Sequence, residues 1–310
     1  MLIRHASDYP AAKSPADCRE LLQQVSEKDL RGWVKWLSVP RHYTAQPEEN
    51  RAIAKWIADQ LKSWGYSVSF HGQFYNIVAL PRKVQAPLIL IGAHFDSVAF
   101  TPGADDNASA VAAMLGAAKA LAGHPITEQI GFVSFNREED GLLGSIDFVE
   151  NYLLPKKIPV ACAHVLEMVG YASSKPKSQS IPPGLPVRVS DTGDFLGVLG
   201  NRHSARQLKD ILVAAKTYLS SFPVIGLRVT LGLEKYFPVL QRSDHAPFWR
   251  QKIPAVMWTD TSEFRNNNYH SENDLPETLD YNFLSNVTRL LIATVACQCR
   301  LISNEKQSRR

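Results

Sequence analysis

The chain has 310 residues, with 34 Lys and Arg against 30 Asp and Glu, for a formal net charge of +4. That length suits one large domain with no dividing linker, and a basic balance so mild and scattered excludes a nucleic-acid surface as the expected partner. The four cysteines, Cys18, Cys162, Cys297 and Cys299, are too few and too unevenly placed for a disulfide framework, so free thiols are expected.

The opening MLIRHASDYPAAKSP lacks the apolar core of a secretory signal, and no stretch approaches ~18–20 apolar residues. A cytoplasmic location is the direct expectation, changing to periplasmic or secreted if the start is trimmed. Ser26-Glu27-Lys28-Asp29 has the form of a helix entry, and the helix it opens ends near Ser38, before Pro40. Ile53, Trp56, Ile57, Leu61 and Trp64 recur at helical spacing and stop at Gly65, a natural C-terminal cap. Tyr66–Phe70 and Tyr75–Leu80 read as a strand pair at a sheet edge. Leu88 to Ile91 has no polar alternation, which suits a strand covered on both faces, as in a parallel sheet. An alanine-rich helix follows over Ala110–Ala122, then strands over Ile130–Phe135 and Ile158–Leu166. Residues 172–196, rich in Ser, Pro, Lys and Gly, form a long loop. Beyond it come a helix over Ser204–Leu219, a strand over Leu227–Leu231, a short helix opened by Ser243-Asp244-His245, a strand over Ile253–Thr259 and a last helix from about Tyr281 to Leu301. Strands alternating with helices make the fold class α/β.

The chemistry-bearing residues sit where these strands end. Open α/β sheets place their ligands beyond the carboxyl ends of strands. His94 and Asp96 end the first buried strand two residues apart and so share a face, an arrangement in which the acid can orient a metal-binding imidazole. Taken alone, they could equally be a packed histidine and a turn residue. Glu138-Glu139 follow the strand Ile130–Phe135, Glu167 ends Ile158–Leu166, and His270 follows Ile253–Thr259. Adjacent acids in a turn are ordinarily just solvated, but four strand ends each presenting His, Asp or Glu describe a site assembled across one edge of a sheet. Histidines and carboxylates gathered without a cysteine suit zinc with open positions for water and substrate.

The segments GAHFDS, PGADDNAS, NREEDGLLGS, LEMVGY, RSDHAPF and TDTSEFRNNNYHSENDLPETLDY occur in that order, and with them the chain resembles the co-catalytic zinc aminopeptidases of metallopeptidase family 28 from about Glu48 to the last helix. The resemblance implies a single zinc exopeptidase domain over 1–310, with a mixed, twisted central sheet sandwiched by helices. Within it, 1–40 is read as an N-terminal helical extension, 41–304 as the catalytic core and 305–310 as a basic tail. It implies two Zn(2+) per chain, one held by His94, Asp106 and Glu167 and the other by Asp106, Glu139 and His270, with Asp106 shared and the peptide after it often cis. It makes Glu138 the general base for a metal-bound hydroxide that attacks the N-terminal peptide bond. Tyr269 is either a donor to the oxyanion, as in some relatives, or a packing residue. Asp96 and Asp244 stand behind the ligands, although helix capping alone would explain Asp244. Asp105 either supports the ligands from behind or is structural, and His164 and His245 are read as structural. Relatives carry glycine where this chain has Ala110, and either Asp or Glu at Glu167. The loop 172–196 would help wall the cleft. Peptides are the expected partners, with neither nucleic acid nor membrane, and the oligomeric state is open. The alternatives are a glutaminyl cyclase-like acyltransferase using one zinc on the same framework, a non-catalytic binding protein, and a carboxypeptidase or amidase of the related two-domain type.

Overall fold

A computed structural model describes residues 1–13 and 15–308, with side chains as far as 303, so the side chains of the basic tail and its last two residues lie outside the described residues. Among the described residues nine strands make one mixed sheet: β1 (Leu2–His5), β2 (Ser67–His71), β3 (Asn76–Leu80), β4 (Leu88–His94), β5 (Ile130–Phe135), β6 (Val160–Glu167), β7 (Leu196–Gly200), β8 (Val224–Arg228) and β9 (Ala255–Thr259). Their spatial order is β1-β8-β7-β9-β6-β4-β5-β3-β2. The centre is parallel, with β5, β4, β6 and β9 running the same way, and every residue of β4 and β5 is buried. This is what unbroken apolar runs demand, since both faces of a central parallel strand must be covered.

The helices are α1 (Arg19–Gln23), α2 (Glu27–Leu37), α3 (Pro47–Ser63), α4 (Ala110–Leu121), α5 (Leu143–Phe148), α6 (Ala205–Tyr218), α7 (His245–Arg250) and α8 (Tyr281–Ser308). The larger apolar cluster joins α2, α3, α4, α6 and α8 to one face of the sheet, while a smaller one joins α5 and α7 to the other. Alanine-rich α4 is buried on almost every side because its small side chains let neighbouring helices close in. Ser26 caps α2, its Oγ accepting from Asp29 N–H at 3.2 Å, a contact typically worth ~1 kcal/mol. Gly65 (φ +93°) ends α3 as expected; its N–H donates to Lys62 O at 2.9 Å and that of Tyr66 to Leu61 O at 3.2 Å.

Two expectations need correction. The segment 1–40 is not a purely helical extension, because Leu2–His5 pairs antiparallel with β8, from Leu2 opposite Arg228 to His5 opposite Ile225. Four residues on a sheet edge are too short to show a period, and their partner lies far along the chain. The strand expected over Leu227–Leu231 begins three residues earlier, at Val224. Leu231 (φ +59°) and Gly232 (φ +71°) turn the chain away, leaving Leu231 89% exposed.

Candidate metal centre

The ends of β4 and β6 and the loops after β5 and β9 converge at one edge of the sheet. His94, the last residue of β4, is fully buried, with Nε2 at 3.3 Å from Asp106 Oδ1 and 3.4 Å from Glu167 Oε1. His270 Nε2 lies 3.2 Å from the other Asp106 oxygen, Oδ2, and 3.4 Å from Glu139 Oε2. The Asp106 carboxylate therefore stands between the two imidazoles, one oxygen toward each. Glu138 Oε2 is 4.0 Å from His94 Nε2. The donor atoms of His94, Asp106 and Glu139, and those of His94, Glu138 and Glu167, each lie within 4.8 Å of one another.

The backbone is tied down around these side chains. The Asp106–Asn107 peptide is cis, and both residues are non-helical, so α4 starts only at Ala110. Asn107 clamps the end of β6, donating from Nδ2 to Leu166 O at 3.1 Å and accepting from Met168 N–H at 2.9 Å. The Asp274 carboxylate accepts the N–H groups of Asp105 (2.9 Å) and Asp106 (3.0 Å). Gly103 (φ +59°) precedes them, where a Cβ would come within 2.2 Å of Asp106 O. Asp105 points away, accepting from Gly170 N–H at 3.0 Å and Asn266 Nδ2 at 2.8 Å, which is a structural task.

Asp96 lies behind the centre. Its Oδ1 is 3.4 Å from His94 Nδ1, and its two oxygens accept the N–H groups of Glu138 (3.2 Å) and Glu139 (3.3 Å). One carboxylate thus sets both an imidazole and the turn that carries two acids. Ser243 Oγ donates to Glu167 Oε2 at 2.5 Å, and Asp244, fully buried, stands near the same acids. Tyr269 stacks on the His270 ring at 3.7 Å between centroids, and its hydroxyl accepts from Arg242 Nη2 at 2.9 Å. His164 and His245 lie elsewhere: His164 bonds Trp258 and Gln298, and His245 Nε2 donates to Leu240 O at 2.9 Å.

One functional neighbour escaped the sequence reading. Arg41 is completely buried; its guanidinium donates to Phe95 O (2.6 Å), Pro102 O (2.6 Å) and Gly103 O (2.9 Å), fastening the loop between His94 and Asp106. Burial lowers its pKa to about 10, and it remains a cation. No motif marks it, because all but one of its carbonyl partners lie more than fifty positions further on, Val39 O being the exception.

The electrostatics call for cations. Burial pushes Glu138 well above the ordinary carboxyl range, and the charges of Glu167, Glu139 and Asp244 add to the shift. Burial also raises Glu139 to about 7, as it does Asp244. Burial opposes the charge on His270, but Asp106 and Glu139 win and lift it to about 10. Asp106 Oδ1 and Glu139 Oε1 are buried acceptors with no hydrogen-bond donor. Orphaned acceptors of this kind are costly in a protein interior, and a cation satisfies them. The residues present therefore fit a divalent metal held by histidine and carboxylate.

Comparison with known proteins agrees. A sequence model of peptidase family M28 matches residues 76–295. The uncharacterized protein YfbL of Escherichia coli is 34% identical over 233 residues, covering 70% of this chain and 68% of its own. The LapA aminopeptidase of Legionella pneumophila shares the fold at a TM-score of 0.72 and 21% identity, over 90% of this chain and 72% of that one. BSAP, a zinc aminopeptidase from Bacillus subtilis, aligns at a TM-score of 0.54 and 26% identity, over 71% of this chain and 49% of that one.

Proposed function

The chain belongs to peptidase family M28 and is a zinc-dependent aminopeptidase, and from that premise we propose that it works with two zinc ions, with Glu138 moving the proton. His94, Asp106 and Glu167 would hold one ion, and Asp106, Glu139 and His270 the other. The observation that carries this is the Asp106 carboxylate, with Oδ1 3.3 Å from one histidine and Oδ2 3.2 Å from the other. When bound, zinc supplies Lewis acidity, polarising the scissile carbonyl and making water acidic enough to ionise near neutral pH.

The protein's own side chains do the rest. Asp96 orients His94 from behind and holds the 138–139 turn, so that base and ligand keep their separation. Glu138, whose Oε2 lies 4.0 Å from His94 Nε2, would take the proton of the attacking water and return it to the departing amine. Water oxygen bonds to the carbonyl carbon, the C–N bond breaks, and the new amine leaves protonated. Tyr269 lines the same cavity, and its hydroxyl would donate to the carbonyl oxygen as it gains charge.

The one-zinc acyltransferase reading is less well supported, because the His270–Asp106–Glu139 half has as complete a donor set as the His94 half. Zinc counted per chain, with aminoacyl-nitroanilide turnover before chelation, after it and after zinc is restored, tests the proposal. Two zinc ions and restored turnover are expected; full turnover after complete chelation would refute it.

A further inference from the structure

The metal centre is only the head of a larger cavity of about 500 Å³. Its floor can be read from strand register. Glu167 lies opposite Thr259, Thr259 opposite Gly197, and Gly197 opposite Ile225. Beside that row runs a second on the same face, in which Met257 lies opposite Leu199, Leu199 opposite Leu227, and Leu227 opposite Ile3. All of these residues line the cavity. It therefore crosses from β6 over β9, β7 and β8 to the edge strand β1, four strand spacings or ~19 Å. Its roof comes from the loop 172–196 through Ile181, Leu185 and Val187, with Val239 and Phe264.

This length far exceeds the side chain of one N-terminal residue and equals roughly six residues of extended peptide. A peptide would fit poorly there. The floor's backbone groups are taken up in the strand ladders, and of the two amides that line the cavity Gln179 already bonds Ser180 O, Thr261 and Arg265, and Gln241 donates to Glu234 O. Peptide N–H and C=O groups lying along this floor would lose water and gain few partners. An alkyl chain has nothing to lose and gains by burial. At the head, Arg242, half-buried and paired with Glu263 and the Tyr269 hydroxyl, offers a cation to a carboxylate.

We propose that this cavity binds a long alkyl chain, and that the enzyme hydrolyses N-acyl amino acids as well as peptides. The proposal rests on the hydrolytic reading of the metal centre. Water oxygen adds to the acyl carbonyl, the amide C–N bond breaks, and the water proton passes through Glu138 to the amino-acid nitrogen. The products are a fatty acid, left in the cavity, and a free amino acid.

The test uses the zinc-loaded full chain with N-acetyl-, N-octanoyl- and N-dodecanoyl-alanine, and with leucine-nitroanilide in parallel. Activity on the acyl-alanines is expected to rise roughly threefold to fourfold in kcat/KM per added methylene until the cavity is filled. Leu227→Trp, at the far end, is expected to shorten the preferred chain by several carbons, read as the ratio of dodecanoyl- to octanoyl-alanine turnover. Should that variant fail to fold, inhibition of the wild-type enzyme serves instead, with dodecanoate expected to compete far better than octanoate, and octanoate better than acetate. Leucine-nitroanilide turnover without acyl-alanine hydrolysis, or hydrolysis and inhibition indifferent to chain length, would overturn the proposal and leave the aminopeptidase standing. Failure on every substrate would overturn the hydrolytic reading itself.

Discussion

Two buried polar regions lie on neighbouring central strands and differ in one respect. At the end of β4, His94 is surrounded by acids, and buried oxygens of Asp106 and Glu139 find no donor. On β6, His164 is equally buried, yet both ring nitrogens are satisfied: Nδ1 accepts from Trp258 Nε1 at 3.1 Å, and Nε2 donates to Gln298 Oε1 at 2.9 Å. A buried histidine is therefore uninformative by itself. Acceptors left waiting around it mark a place for a cation, whereas a closed hydrogen-bond set marks a structural residue.

The contrast can be broken most forcefully at Asp106. Asp106→Ala removes the oxygen facing each histidine, so both zinc ions and all measurable peptidase activity should be lost, as metal analysis beside a turnover assay would reveal; two ions retained would end the shared-carboxylate reading. Glu138→Gln should instead keep both ions and lower kcat by about 100- to 10,000-fold, the usual worth of a general acid–base group. If that variant lost a zinc, Glu138 would be a ligand, as its proximity to His94 and Glu167 allows.

At His164 the effect should fall on stability. Burial holds its pKa down at about 4, against an ordinary 6.5. The folded state then binds fewer protons than the unfolded one between these values, so His164 contributes its full stability above pH 6.5 and loses it as pH falls toward 4. The loss amounts to about 3 kcal/mol. Denaturant unfolding of wild type and His164→Leu at pH 7 and pH 4.5 should show a shallower decline in the variant; equal declines would mean that the histidine charges without cost. The smallest effect is expected at Asp96→Asn, which keeps the shape but weakens the hold on His94 and on the 138–139 turn. Residues that orient metal ligands typically matter by ~10- to 100-fold in metal affinity or activity, and a zinc titration measures it.

Much of the site was legible because its signals are local. The run LILIGAH shows both a buried strand and the place where polarity begins, and NREEDG and YHSEND repeat the pattern after other strands. Asp105 and Asp106 were distinguished only by resemblance, since adjacent acids at a helix entry look alike. In the structure, the N–H of Gly170 and the Asn266 amide claim the first, and the two histidines face the second. Arg41 carried no such signal, and neither did Ser243 as a partner for Glu167.

The α/β class, the buried parallel strands and the residues at their ends could all be read from local sequence, because apolar runs, turn residues and caps act over a few neighbouring positions. Folding alone reveals that Leu2–His5 joins the sheet edge, where β8 begins, that Asp106 turns one oxygen to each imidazole, and that an apolar cavity stretches from Glu167 to Ile3. Each of these depends on strands brought together from opposite ends of the chain, and no local pattern records a partner that arrives only on folding.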